Sequence, residues 1–194
     1  METIKLCFDY KSPFACLAKD PAFALPERFA IEARWIPCGL RIRGKGERSQ
    51  FSEWKASYSY FDRRWANHRA RSLAINGPLK MYDSKPLIGG LYAMREGFFR
   101  ACTDQVREFF ERGLEIDRPD EVAGTIDRLA EAGVAASGSG AAYRVYLDGE
   151  GREAFDRCLA EGEADHAFGG AALLLSRRAL WGDDRMALLE GPET

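Results

Sequence analysis

The spacing of apolar residues changes twice along the chain. Ile4 to Phe8 is a short apolar run that predicts a buried strand, and Ser12-Pro13 opens a helix. Serine caps free amides there, and proline tolerates the first helical position because its missing N–H is not needed. Pro21 and Pro26 predict an interruption of that helix. Ile31-Glu-Ala-Arg-Trp-Ile36 alternates apolar and polar residues and predicts a second strand, ended by Pro37 and Gly39. A β-α-β order favours a parallel pair with a right-handed crossover.

A basic, glycine-bearing loop follows over 41–48, and from Phe51 to about Gly133 the period is helical. Trp54, Tyr58, Phe61 and Trp65 recur at i, i+4, i+7 and i+11, on one helix face. Ser84 and Pro86 start another helix whose apolar face runs Leu87, Leu91, Met94, Phe98 and Cys102. Thr125 to Leu129 belongs to a third amphipathic piece stopped by Gly133, and Gly138-Ser-Gly140 marks a turn. Two more helical stretches reach His166. Ala171 to Leu175 is then a short apolar run, Ser176 to Arg178 a turn, and Ala179-Leu-Trp181 the return of a hairpin. Gly182-Asp183-Asp184 caps a final helix through Leu189. The order β-α-β, helices, β-β-α predicts an α/β, thioredoxin-like fold with an inserted all-helical domain. The thioredoxin-like part is 1–40 with 167–194, and the insertion is 41–166.

Composition narrows the function. The 194 residues are 46% hydrophobic and 30% charged, ordinary for a globular domain with a real core. A net charge of −2 gives no global attraction for nucleic acid or an acidic membrane. Neither a transmembrane run nor a signal peptide is expected. Five scattered cysteines without a CxxC predict reduced thiols in a cytoplasm, and two histidines offer little to a metal.

Two motifs carry a resemblance. Phe8-Asp9-Tyr10-Lys11-Ser12-Pro13-Phe14 and the closing Trp181-Gly182-Asp183-Asp184-Arg185-Met186 resemble the DsbA-like branch containing 2-hydroxychromene-2-carboxylate isomerases and kappa-class glutathione transferases. Where the redox branch carries Cys-x-x-Cys, this chain has Ser12 and Ala15. Dithiol–disulfide exchange needs two sulfurs, so that chemistry is absent from this turn. Cys16 reads as a structural thiol, and Asp9 as serving the turn.

The resemblance implies that Ser12 holds a glutathione thiolate and that Asp184, or Asp183 beside it, holds the γ-glutamyl ammonium. It also implies a cis-proline corner before the third strand, where the preceding residue pairs its backbone with glutathione. Here that stretch is Phe168-Gly169-Gly170-Ala171-Ala172, so Gly170 and Ala171 occupy the corner without a proline. The asparagine of the loop after strand two is also absent between Arg41 and Gln50. Phe14, Trp54, Tyr58, Trp65 and Arg64 are the candidate substrate-pocket residues, the aromatic stripe reading first as core. Arg64, His68 and Arg71 share a helical face suited to solvent or to an anionic substrate.

The implied protein is a cytoplasmic homodimer. Acting on a small conjugated molecule, aromatic or polyketide-type, it is an isomerase that uses glutathione. A glutathione transferase, a glutathione-independent isomerase or cyclase, and a redox-dead binding module remain as alternatives.

Overall fold

The computed structural model describes residues 2–39, 49–51, 54, 58, 84–106, 118–167, 171–175 and 178–181. Four strands form one sheet: β1 (Glu2–Phe8), β2 (Ile31–Pro37), β3 (Ala172–Leu175) and β4 (Arg178–Trp181), in the order β2-β1-β3-β4. β1 runs parallel to β2, with Leu6 opposite Trp35 and Cys7 opposite Ile36. β3 is antiparallel to β1, and β4 antiparallel to β3. Pro37 is accommodated because β2 lies at the sheet edge among these strands. The last predicted helix lies outside the described residues.

Alternation along β1 builds two layers. Ile4 and Leu6 face α1 (Pro13–Arg28) and bury against Ala18, Ala22, Leu25 and Leu173. On the other face Cys7 packs with Ile36, Cys38, Ala172 and Leu174. Contrary to the expected interruption, α1 is continuous over 16 residues with Pro21 and Pro26 inside it. An internal proline costs about 3 kcal/mol. Burying a leucine-sized side chain returns roughly 1.5–3 kcal/mol, and Leu17 and Leu25 are both buried along with the alanines.

Between β2 and β3 the described residues are mostly helical. The described helices are α2 (Lys85–Arg95), α3 (Phe99–Val106), α4 (Pro119–Glu131), α5 (Ser139–Asp148) and α6 (Glu150–Ala164). The apolar face expected to run unbroken from Leu87 to Cys102 is split between α2 and α3. Gly97 at φ 83° ends α2 with its N–H on the Met94 carbonyl, while Phe98 N–H reaches back to Ala93. This is a Schellman stop, which needs a residue free to adopt a left-handed backbone. Phe98 and Cys102 nevertheless join Leu87 in the large core, beside Ile88, Tyr92, Ile126 and Tyr143. Phe8, Tyr10 and Leu17 belong to that same core, so the helices pack against the turn that starts α1.

The expected aromatic stripe behaves differently. Residues 50, 51, 54 and 58 are helical, but Trp54 is 58% and Tyr58 67% exposed, with Phe51 beside them more exposed still. Phe61 and Trp65 lie outside the described residues.

Candidate active site

The turn between β1 and α1 is built from hydrogen bonds that the sequence dictates locally. The Asp9 carboxylate accepts the Lys11 N–H at 2.8 Å, and its carbonyl accepts the Ser12 N–H at 2.9 Å. An aspartate closing its own backbone two residues on is a recognised turn device. Asp9 is fully buried, and the Lys11 ammonium lies 3.5 Å from it, also buried. A buried carboxylate without such a partner would be strongly destabilising. The reading of Asp9 as a turn residue therefore agrees with its contacts; its pairing with Lys11 was not foreseen.

Ser12 is the N-cap of α1, in an extended backbone conformation, with its Oγ accepting the Ala15 N–H at 3.2 Å. The capping role is thus filled. It uses a lone pair and leaves the hydroxyl proton, for which no acceptor is seen among the described residues. A serine hydroxyl donates as well as accepts. At a helix N-terminus the dipole favours an anion as the recipient. The residue is only 5% exposed, so such a contact would be well shielded from water.

Ala171 brings the sheet to the same neighbourhood. Its N–H donates to the Cys7 carbonyl at 2.9 Å, continuing the β1–β3 ladder past the end of β3. Its φ is 66°, a conformation alanine rarely adopts. With Ala15, Ala18, Lys19 and Trp35 it lines a cavity of about 10 Å³ between α1 and the sheet. That is the room of one water molecule, too small for a substrate. Phe14 is half-buried and packs with Ala171 in the α1–sheet cluster. Trp54 and Tyr58 stand exposed on their helix, while Gly170, Asp183, Asp184, Arg64 and Trp65 lie outside the described residues.

Two further groups were missed from sequence. Lys19, buried on α1, pairs with Asp20 at 2.5 Å and with Asp104 of α3. Behind the sheet, the Cys38 thiol packs against Cys7, with Cys158 close by, and the neighbouring Cys7 thiol together with burial pushes its ionisation up. Such thiols are poor nucleophiles. All five cysteines are free, and no set of three metal-ligating side chains converges among the described residues. No described helix is long and apolar enough to cross a membrane.

No protein-family profile matches the sequence, and no curated protein matches it. Solved structures do resemble the fold. A 2-hydroxychromene-2-carboxylate isomerase is 18% identical with a TM-score of 0.74, over 97% of this chain and 92% of that one. The cytosolic disulfide reductase DsbM from Pseudomonas aeruginosa, solved with GSH, is 18% identical over 97% of both chains with a TM-score of 0.64. A probable DsbA oxidoreductase from Streptomyces coelicolor is 16% identical with a TM-score of 0.70, over 100% of this chain and 92% of that one. The chain has the DsbA-like thioredoxin fold with a helical insertion, one used by both isomerases and oxidoreductases.

Proposed function

We propose that the protein is a cytoplasmic small-molecule isomerase that works with glutathione bound at Ser12. The observation that carries this reading is the Ser12 hydroxyl, which caps α1 through its lone pair and retains its proton for an anion at the helix N-terminus. A thiolate fits that donor. When bound, glutathione would supply a nucleophilic thiolate able to add reversibly to a conjugated double bond. Ser12 holds the thiolate charge with a hydrogen bond of roughly 1.5–3 kcal/mol and so favours the ionised form near neutral pH. The α1 dipole adds to that preference. The buried Asp9–Lys11 pair fixes the turn without competing for the hydroxyl proton.

The likeness to a 2-hydroxychromene-2-carboxylate isomerase supports isomerisation over transfer. The substrate class is a conjugated aromatic or polyketide-type molecule. A homodimer belongs to the same proposal, and sedimentation at micromolar concentration tests it.

A second reading drops glutathione and keeps an isomerase or cyclase. It is favoured by Ala171, which stands where the resembled families have their cis-proline and holds its backbone at φ 66°, a value no proline can adopt. Titration of wild type and Ser12→Ala with glutathione, alongside a product screen with and without the thiol, separates the two. The first reading expects binding and thiol-dependent turnover that falls by about one to two decades in the variant. Turnover without thiol and no binding would leave the second.

A further inference from the structure

Tyr10 lies two residues before Ser12 and is 7% exposed. Its ring packs edge-on against Phe8, with centroids 5.2 Å apart. The phenol oxygen is 3.3 Å from Thr103 Oγ1, which belongs to α3 and is itself buried. On the other side stands Gly90 of α2, where a Cβ would lie 2.8 Å from the phenol oxygen. A methyl group there would force the phenol to shift away from its place. Burial holds the phenol well above its ordinary ionisation range, so it stays a neutral hydroxyl, able to give or take the hydrogen bond with Thr103.

An apolar plug for this hole would be phenylalanine or leucine. A tyrosine that reaches a buried threonine, past a glycine, instead makes a directional contact. The backbone on either side is fixed: Asp9 accepts the N–H of both Lys11 and Ser12. Displacement of Tyr10 is therefore passed on to Ser12 rather than absorbed by slack chain.

We propose that Tyr10 is a positioning residue, through which helices α2 and α3 set the place of the Ser12 hydroxyl. The functional part of this rests on the reading of Ser12 as the residue that holds a thiolate; the coupling itself does not.

The test uses Tyr10→Phe, Thr103→Val and the double variant in the full chain. Amide exchange at Ala15, whose N–H is held by Ser12 Oγ, should accelerate about tenfold in each single variant and no further in the double one. Amides in α4, such as Ile126, should stay protected. Unchanged exchange at Ala15, or equal acceleration everywhere, would overturn the coupling, the second outcome marking Tyr10 as merely structural. With glutathione as probe, the pH at which bound thiolate absorbance appears should rise by about half a unit in Tyr10→Phe. A Tyr10→Phe midpoint equal to that of a thiolate-binding wild type would overturn the functional part. Absence of any thiolate signal in wild type would sink the proposed function, while Ala15 exchange would still decide the coupling.

Discussion

The Ala171 amide donates to the carbonyl of Cys7 at 2.9 Å from a backbone held at φ 66°. The corner before β3 is thus closed by a ladder bond, at a residue poorly suited to its conformation. Left-handed backbone costs a non-glycine residue about 1–2 kcal/mol. Ala171→Gly should therefore raise stability by up to about 1 kcal/mol, net of the entropy glycine loses on folding. Urea titration with an unchanged slope checks it.

Proline at the same position should do the opposite. It fixes φ near −65° and removes the N–H that Cys7 accepts. Ala171→Pro is expected to cost more than 2 kcal/mol and to lower the urea midpoint clearly. A stabilised Ala171→Pro would mean that the corner adopts the cis-proline geometry of the resembled families.

Capping and chemistry at Ser12 can be separated by two substitutions. Ser12→Ala should lose about 1 kcal/mol of stability, whereas Ser12→Gly should lose only a few tenths, because glycine is a tolerable N-cap. Both remove the hydroxyl proton, so thiol-dependent turnover should fall equally in the two. Turnover that tracked stability instead would reduce Ser12 to a cap.

Much of this was legible in the sequence. The strand at Ile4–Phe8, the helix opening at Ser12-Pro13, the parallel β2 and the closing hairpin follow from local period and punctuation. The break between α2 and α3 was also written there, since Arg95-Glu96-Gly97-Phe98 has the glycine and following hydrophobe of a Schellman stop. The apolar spacing on either side outweighed that signal. Continuity of α1 through two prolines was not legible, because tertiary burial decides it. Nor were Tyr10–Thr103 and Ala171–Cys7, which depend on how distant segments meet.

Alkaline pH should unfold the protein early. Burial pushes the Cys102 thiol from 9.0 to about 12 and raises Tyr10 as well. Below pH 9.0 the Cys102 thiol is protonated in both folded and unfolded chains, so its contribution to stability is intact. Above that the unfolded chain releases the proton first, and stability falls by about 1.4 kcal/mol per pH unit through this group until the folded thiol titrates. Cys102→Ala should flatten the decline seen in denaturant titrations between pH 9.0 and about 12, at the cost of a small cavity. An equally steep decline in the variant would assign the effect elsewhere.

Thiol labelling should divide the cysteines in two. Cys16 and Cys158 are half-buried, whereas Cys7, Cys38 and Cys102 are buried. A native-state disulfide-exchange reagent should modify the first pair within minutes and the other three only on unfolding. Rapid loss of all five thiols would contradict the packing behind the sheet.

An oxygen stands at the start of α1 where the redox branch of the resembled family carries a cysteine, and that one atom changes what the turn can hold. A thiol at a helix N-terminus gives up its proton and becomes the anion that the dipole was waiting for. A hydroxyl in the same field stays protonated, so the capping side chain itself brings no charge to the positive end of the helix. Under the proposed function, Ser12 would turn the fold from a self-contained reagent into a host, whose reactivity would be imported with its guest and would leave when the guest does.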